Sequence, residues 1–313
     1  MIKYFVFLFF MTQAMFNFAI NIWGNGYIRY KTGLRMPDQA ALKWMEKNLI
    51  RARKIRLNPL GLQRINRRRK EIGLSELSSS LAVPFGEEIL GAPEDSTGAD
   101  SGDIYLSETT SISSAIDNSQ LPSFPPIRNQ GALNSCVPFA TTYYQMTHMV
   151  GLVRGWNTKN NADNTNKFSP KWVYNFLNDG EDKGAWTTDV YNLLIKHGCP
   201  SWEDFPYDDL EYRKWPLDPL VWRRAINYRM KEAGYIDISS SNDLGLLKNF
   251  LDNGYVLVFN TYVHSWQFTS IKNDPSTSYD DFAVGKDACY CVNGTNGAHE
   301  MTVVGYNDHI WVD

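Results

Sequence analysis

The stretch Pro126-Ile-Arg-Asn-Gln-Gly-Ala-Leu-Asn-Ser-Cys-Val-Pro-Phe-Ala-Thr-Thr-Tyr-Tyr144 decides how this chain is interpreted. A Gly-containing turn holds Gln130, and Cys136 follows it at the start of a predicted helix. Pro138 suits the first helical turn, where its missing N–H has no partner to lose. Gly151 is the predicted end of the segment. One face at helical spacing is predicted for Ala140, Tyr143, Tyr144 and Thr147.

A cysteine at the start of a helix has a chemical consequence. The unpaired N–H groups and the helix dipole favour an anion at that point. We therefore expect the pKa of the Cys136 thiol to be lowered, and the thiolate is the nucleophilic form. The side-chain amide of Gln130 is a donor that can face an oxyanion formed at an attacked carbonyl. Such a site still needs a base.

His299 is the predicted base among five histidines. It follows a Gly-containing turn and opens an apolar strand, which places the imidazole at the rim of a sheet. Cys136 and His299 then form a nucleophile paired with a general base and acid. The alternative is a structural thiol and an ordinary strand-end histidine. His148 lies in the same predicted helix as Cys136, and His197 lies at a helix end. His264 is predicted to lie in a loop and His309 in a turn.

Composition narrows the function classes. The chain has 313 residues, a net charge of −3 and a 14% share of aromatic residues, which is typical of a globular body. There is no broad basic field, so we expect no nucleic-acid partner. Cys289, Cys291 and His299 lack the paired Cys-x2-Cys spacing of zinc sites, so no metal or other cofactor is predicted. Whether Cys199 pairs with Cys289 or Cys291 stays open.

The N-terminus resembles a secretory signal peptide. Residues 1–11 combine one early lysine with an apolar run, and small residues at Ala14 and Ala19 offer cleavage sites. We predict a signal peptide over residues 1–19 and a secreted, extracellular protein. The run is short for a membrane span, so no stable membrane insertion is expected after cleavage. The alternatives are an uncleaved anchor or a buried N-terminal segment.

Residues 20–120 are predicted to be a pro-like and linker region that is partly disordered. A helix-prone block over 36–76 carries Leu42, Met45, Leu49 and Ile50 at helical spacing, followed by a basic cluster. The cluster belongs to a pro-segment, to a patch that touches an acidic surface, or to a solvated amphipathic helix. It consists of Arg64, Arg67, Arg68, Arg69 and Lys70. Residues 78–120 are rich in Ser, Gly, Asp and Glu and predict a mobile linker, with the main boundary just before Leu121.

The remaining chain, 121–313, is predicted to be an α+β domain, with helices before residue 253 and strands from residue 255. One helix begins at Pro170 behind a Ser169 cap and stops before Gly180. Gly254 is the predicted stop of the helix over 243–252. The remaining predicted helices cover 188–196, 222–231 and 243–252, and the predicted strands cover 255–263, 299–306 and 308–313.

Four segments resemble the papain-like cysteine peptidases, in the same order along the chain. The stretch from Pro126 to Ala140 resembles the nucleophile segment, and Gly180-Glu-Asp-Lys-Gly resembles the glycine loop beside the non-prime side of the cleft. Phe205-Pro-Tyr resembles a Tyr-Pro-Tyr turn, and Gly297-Ala-His-Glu-Met-Thr-Val-Val-Gly-Tyr resembles the strand of the catalytic histidine. The resemblance covers about residues 121 to 313 and is most similar to bacterial secreted members.

The resemblance implies a two-lobe fold with a helical left lobe, a β-rich right lobe and the active site in the cleft between them. It implies that Cys136 is the nucleophile, that His299 is the base and acid, and that Gln130 and the Cys136 backbone N–H form the oxyanion hole. The reaction is then peptide-bond hydrolysis through a thioester. The expected partner is a protein or peptide substrate, and the protein is expected to be a monomer.

Three features depart from the family pattern. Val137 stands where an aromatic residue is usual, and the usual cysteine a few residues before the nucleophile is replaced around Leu133. The family's Asn-Ser-Trp-Gly segment, whose Asn orients the histidine, has no counterpart before Asp313. We therefore expect a chain truncated at its C-terminus, before the third catalytic residue. Two other hypotheses remain: a non-catalytic papain-like scaffold that binds peptides or carbohydrate, and acyl transfer by the same pair.

Overall fold

A computed structural model describes residues 32–52, 55–85, 113–238, 241–273, 286–290, 294 and 296–312. The predicted signal peptide, Cys291, Asp313 and most of the predicted linker lie outside these residues. Among the described residues, no helix combines the length and apolar character that crossing a membrane requires.

The elements alternate between helix-rich and strand-rich stretches. The helices are α1 (Gln39–Asn48), α2 (Pro59–Glu71), α3, α4 (Pro170–Leu177), α5 (Thr187–His197), α6 (Pro219–Ile226) and α7 (Ser241–Asp252). Helix α3 consists of an α-helical turn Cys136–Pro138, a π-helical part Phe139–Met146 and an α-helical part Thr147–Arg154. The strands are β1 (Ile50–Arg51), β2 (Ala115–Asp117), β3 (Gly234–Tyr235), β4 (Leu257–Tyr262), β5 (Gln267–Lys272), β6 (Asp287–Tyr290), β7 (Ala298–Val303), β8 (Gly305–Asn307) and β9 (Trp311–Val312).

The prediction that Gly151 ends the nucleophile helix is wrong. The helix continues to Arg154, and Gly155 ends it in the left-handed region at φ 65°. Gly151 is small for a packing reason, because a Cβ there would lie 3.1 Å from the Cβ of Ser123. Both Gly151 and Gly155 could signal the helix end, but only Gly155 has the left-handed backbone conformation that glycine favours.

Two other boundaries differ from prediction. Helix α1 ends at Asn48, so Leu49 and Ile50 are not helical, and Ile50 instead opens β1. Helix α6 starts at Pro219, where the side chain of Asp218 accepts a hydrogen bond from the N–H of Leu220, and it ends at Ile226 rather than at residue 231. The sequence signal for this start is a proline directly after an aspartate.

The fold class is α+β, as predicted. Helices α3 to α6 surround one core, whose buried members include Cys136, Val137, Trp172, Val173 and Leu194. The strand-rich part pairs β4 with β7 antiparallel, in a register that places Thr261 opposite His299. Strands β6, β5 and β9 form a second antiparallel sheet. The contact between α3 and β7 joins the two parts.

Part of the region predicted as pro-like packs onto the strand-rich part. Strand β1 pairs in parallel with β3, and β2 pairs with β8, so strand pairing already begins before Leu121. A buried cluster unites Ile55 and Ile65 with Phe250 of α7. Within the basic cluster, Arg68 forms an ion pair with the fully buried Asp252 at 3.0 Å. The solvated-helix interpretation fits Arg67 and Lys70, which are exposed.

Candidate active site

Cys136 is the first residue of α3 and is almost completely buried, with 1% of its surface exposed. Its Sγ accepts a hydrogen bond from the backbone N–H of Gly33 at 3.2 Å. The backbone of Glu300, in β7, also lowers the pKa of this thiol. The thiol therefore lies between the start of α3 and the strand that carries His299.

The prediction of a lowered thiol pKa is wrong for this arrangement. Burial raises the pKa of Cys136 to about 12, and the N–H groups of Glu300 and Gly33 offset only part of that rise. A helix start and two donors favour the thiolate, but loss of contact with water disfavours any charge more strongly. The local sequence pattern indicated a helix start and could not show what covers it.

Residues 33–35 cover the Cys136 thiol and are termed here the cleft segment. Leu34 pairs in parallel with Ala185, and Arg35 N–H donates to the Ala185 carbonyl at 2.9 Å while Ala185 N–H donates to the Gly33 carbonyl at 2.8 Å. On the other side, Leu34 N–H reaches the carbonyl of Ala298 at 3.4 Å. The cleft segment thus lies as an extended peptide between the helical part and β7.

Gly33 is the residue that permits this approach. A Cβ at this position would lie 1.7 Å from the backbone oxygen of Asn134, so no other residue fits without a backbone shift. Leu34 is 7% exposed and belongs to the same buried cluster as Cys136 and Ala185. No motif marked this segment in the sequence, since a single glycine is a weak signal.

The loop before Cys136 is fixed by side chains from a distant turn. Tyr207 donates its hydroxyl proton to the Gln130 carbonyl at 2.5 Å, and the same hydroxyl lies 2.8 Å from Oγ of Ser135. The side-chain Nε2 of Gln130 donates to the Leu133 carbonyl at 2.8 Å. Tyr207 belongs to the Phe-Pro-Tyr turn of the sequence, whose role was not predicted from spacing.

Two aspartates hold the same loop from the outside. The carboxylate of Asp182 accepts the N–H of Asn134 at 2.8 Å and the hydroxyl of Tyr174. Asp209 accepts the N–H of Ala132 at 3.0 Å. Because these bonds involve the backbone on both sides of Leu133, they fix the position from which α3 starts.

His299 lies in β7, directly before Glu300. Its Nδ1 is buried and has no hydrogen-bond partner within the described part of the chain. Burial, and then the nearby His264, lower the pKa of His299 to about 4. No hydrogen bond between Sγ and this imidazole occurs among the described residues. The structure thus places Cys136 beside the strand of His299, with both side chains in their neutral forms.

The other four histidines lie in other elements or turns. His148 is fully buried, with Nε2 2.7 Å from the carbonyl oxygen of Gly254 and Nδ1 3.1 Å from Oγ of Ser123. His197 ends α5 as predicted. His264 lies in a short 3-10 turn after β4, and His309 lies in the turn before β9.

Glu300 was not predicted as a site residue. It is 2% exposed, and the hydroxyl of Thr187 donates to its Oε2. Burial raises the pKa of Glu300 to about 8, and the same carboxyl in its charged form raises the pKa of Cys136. An acidic residue inside an otherwise apolar strand, next to a candidate histidine, was the available signal.

The structure shows the pairing state of three of the four cysteines. Cys136, Cys199 and Cys289 are free and buried. Cys199 Sγ lies 3.4 Å from the carbonyl oxygens of Ser169 and Pro200. The disulfide considered for Cys199 is therefore absent between described residues.

No protein-family model and no curated protein matches the chain. Among solved structures it is similar to xylellain, a cysteine protease from Xylella fastidiosa, at 18% identity and a TM-score of 0.40, over 63% of this chain and 71% of that one. It is similar to proCathepsin B S9 from Trypanosoma congolense at 17% identity and a TM-score of 0.42, over 64% of each chain. A third match is the digestive procathepsin L 3 of Tenebrio molitor larval midgut, at 13% identity and a TM-score of 0.41, over 80% of this chain and 66% of that one.

The chain thus spans less than two thirds of the length of the latter two structures. The descriptions of these structures name a cysteine protease, a proCathepsin B and a procathepsin L.

Proposed function

We propose that the chain is a cysteine-type peptidase. The observation that supports this most directly is the occupancy of the cleft. An extended peptide backbone already lies between Ala185 and Ala298 with one N–H on Sγ of Cys136. A cleft that pairs with a peptide on both sides and places it against a thiol has the geometry that peptide hydrolysis needs.

In the proposed reaction, Sγ of Cys136 attacks the carbonyl carbon of a peptide bond. His299 takes the thiol proton and gives it to the leaving nitrogen as the C–N bond breaks. The amide of Gln130 and the backbone N–H of Cys136 stabilise the oxyanion. Water then hydrolyses the thioester and restores the thiol.

The neutral thiol implies that the described arrangement is a blocked one. When the cleft segment leaves, water reaches Cys136, and the thiol pKa falls towards its ordinary value of about 8.5. Residues 20–120 are then a pro-like region that includes the tethered occupant, and residues 121–313 are the peptidase domain. A signal peptide over residues 1–19, secretion and a monomeric state belong to the same proposal.

A second candidate is a non-catalytic scaffold that binds peptides. The absence of a hydrogen bond between Cys136 and His299 in the described part favours it, because catalysis needs the two within reach. The two functions differ in the reactivity of one atom. A peptidase has a thiol that reacts faster than an ordinary cysteine once the cleft is open.

The test uses the full chain carrying Gly33→Ala, whose added Cβ displaces the cleft segment, and an unstructured protein such as reduced casein. Thiol-dependent cleavage that is lost in Cys136→Ala and in His299→Ala, and retained in the matched buried-thiol control Cys289→Ala, is the expected result. An epoxide-type thiol inhibitor should label Cys136. Peptide binding with no cleavage and no labelling at Cys136 would favour the scaffold. Peptide products capped by an added amine would indicate acyl transfer instead.

A further inference from the structure

Large apolar side chains are exposed along residues 215–226, in the segment that leads into α6 and on the helix itself. They are termed here the apolar patch and comprise Trp215, Leu217, Leu220, Trp222 and Ile226. Leu217 is 94% exposed, and the other four are exposed as well. Large apolar side chains gain free energy when they leave water, so a set of this size on the surface marks a contact site.

The two tryptophans of the patch are held in a fixed orientation. Their rings are nearly parallel, with an interplanar angle of 6° and centroids 6.3 Å apart. Both rings pack on Phe176 of α4, with centroid distances of 4.7 Å for Trp215 and 5.3 Å for Trp222. Nε1 of Trp222 also donates to the Pro216 carbonyl at 3.1 Å. One side of the pair is thus anchored to the helical part, while the rest of it faces water.

Helix α6 presents the remaining part of the patch on its outer face. Val221 and Ala225 are buried and define which side of α6 faces the core. Leu220, Arg223 and Ile226 follow one another at three-residue spacing, so they share a side of the helix, and all three are exposed. A cationic side chain therefore lies between two apolar ones on this face.

The segment around the patch is strongly basic, although the whole chain has a net charge of −3. Residues 213–231 contain six Lys and Arg residues and a single acidic residue, Asp218, whose side chain caps α6. Within the part of the chain that the structure describes, Arg223, Arg229 and Lys231 form no ion pair, and all three are exposed. These cations are therefore available to an anionic partner.

We propose that the apolar patch and these three cations dock the protein onto an anionic lipid membrane. Tryptophan favours the boundary between water and hydrocarbon, because its ring is apolar and its N–H needs a polar partner. Leucine side chains enter the acyl region, while Lys and Arg interact with anionic headgroups. This docking is peripheral and leaves the fold outside the bilayer. It adds an interaction surface to the chain and does not depend on the reaction proposed for Cys136.

A membrane matches this combination better than other partners do. A soluble polyanion, such as a sulfated polysaccharide, pairs with the cations but offers no apolar surface to Leu217. An apolar protein surface buries the leucines and tryptophans but gives the unpaired cations no partner. A lipid surface has an anionic layer directly over a hydrocarbon layer, and this order suits cations and leucines that lie side by side on one face.

The test measures sedimentation of the full chain with two kinds of vesicle. One is phosphatidylcholine with about 30% phosphatidylglycerol, and the other is phosphatidylcholine alone. Leu217→Asn removes the most exposed apolar side chain of the patch, and the double variant Arg223→Gln/Arg229→Gln removes two charges. Leu244→Asn changes an exposed leucine of α7 outside the patch and is the matched control. Residues 1–19 are the same in every variant, so any affinity of theirs for lipid cancels from the comparison.

Wild type should bind the anionic vesicles at least about tenfold more tightly than the neutral ones at low salt. On anionic vesicles we expect a loss of about tenfold for Leu217→Asn, a loss of at least about tenfold for the double variant, and no change for Leu244→Asn. Equal binding of wild type to both kinds of vesicle would overturn the proposal. Weak binding of the double variant together with full binding of Leu217→Asn would also overturn it, in favour of a soluble polyanion as the partner.

A second measurement identifies the face that meets the lipid. An environment-sensitive dye attached through Leu217→Cys should shift its emission to the blue when anionic vesicles are added, because the dye leaves water. The same dye attached through Leu244→Cys should not shift. Wild-type protein carried through the labelling gives the background from its own cysteines. An equal shift at both positions, or none at position 217, would overturn the proposal, because another part of the chain then meets the lipid.

Discussion

The backbone N–H of Gly33 lies 3.2 Å from Sγ of Cys136, so a residue 103 positions earlier in the chain seals the candidate nucleophile. The packing of the cleft segment against Sγ accounts for the burial of the thiol, and this burial raises the pKa of Cys136 although the Gly33 N–H itself lowers it. It also makes the reactivity of Cys136 depend on the cleft segment, to which no catalytic role is assigned.

Replacing Gly33 tests that dependence. Gly33→Ala adds a Cβ that would meet the Asn134 backbone oxygen, so we expect the cleft segment to leave the cleft and the pKa of Cys136 to fall from about 12 towards the ordinary thiol range. Alkylation of Cys136 near pH 8 should then speed up by at least about tenfold. Met36→Ala, an exposed change in the same stretch, is the control. An unchanged alkylation rate in Gly33→Ala would contradict the sealing role.

Glu300 predicts an unusual dependence of stability on pH. Its pKa is about 8 in the folded chain and near 4.5 when unfolded, so the folded state binds more protons between these values. This contribution to stability is fully present below pH 4.5 and is lost as the pH rises through 8, by up to about 1.4 kcal/mol per pH unit. Glu300→Gln should remove it.

Urea unfolding of wild type and Glu300→Gln at about pH 6 and pH 8.5 measures this difference. The variant should gain stability relative to wild type as the pH rises, because the amide cannot ionise. His148 and His299, whose pKa values lie near 4, change the stability below about pH 6.5, but they do so equally in both proteins and cancel from the difference. A constant difference between the two proteins at both pH values would contradict the protonation of Glu300.

The ion pair between Arg68 and Asp252 predicts that α2 is part of the folded unit. Asp252 is fully buried and Arg68 is largely so, and Arg64 adds bonds to the carbonyls of Leu251 and Asp252. Arg68→Leu leaves a buried carboxylate with one partner fewer and should lower the free energy of unfolding by about 2–4 kcal/mol. The exposed neighbour gives the control, Arg67→Leu, with a change below about 0.5 kcal/mol. Equal small effects of both variants would show that α2 adds little to the stability.

Tyr207 predicts a link between a distant turn and the nucleophile loop. Tyr207→Phe removes the hydroxyl that bridges the Gln130 carbonyl and Ser135 Oγ, and the stability should fall by about 1–2 kcal/mol. We also expect a lower kcat on peptide substrates with little change in KM, because the loop that positions the oxyanion donors loosens. Tyr212→Phe is the matched control. A kcat equal to that of wild type would limit Tyr207 to a purely structural role.

The start of α3 and the strand of His299 could be predicted because their signals are local. A cysteine ahead of a proline, and a histidine between a Gly turn and an apolar run, specify backbone geometry within a few residues. The helix start at Ser169-Pro170 and the stop at Gly254 are of the same kind, and both occur in the structure.

The cleft segment, the bond between Thr187 and Glu300 and the pKa of Cys136 could not be predicted in this way. Each depends on residues more than a hundred positions apart, as with Gly33 and Cys136 or Thr187 and Glu300. Burial decides the charge state of a thiol, and burial is a property of the packed chain rather than of its neighbours in sequence. The misplaced helix end at Gly151 has the same origin, since only the structure shows that this glycine contacts Ser123.

The cleft segment is connected to α1 by only three residues, Met36, Pro37 and Asp38. Such a short connection gives it an effective concentration on the order of millimolar near Cys136, whatever the dilution of the protein. Even a peptide of weak intrinsic affinity then keeps the cleft filled. Cutting one bond within this connection converts the occupant into an independent ligand, whose occupancy of the cleft falls with dilution. One proteolytic event thus makes the occupancy of the cleft depend on protein concentration.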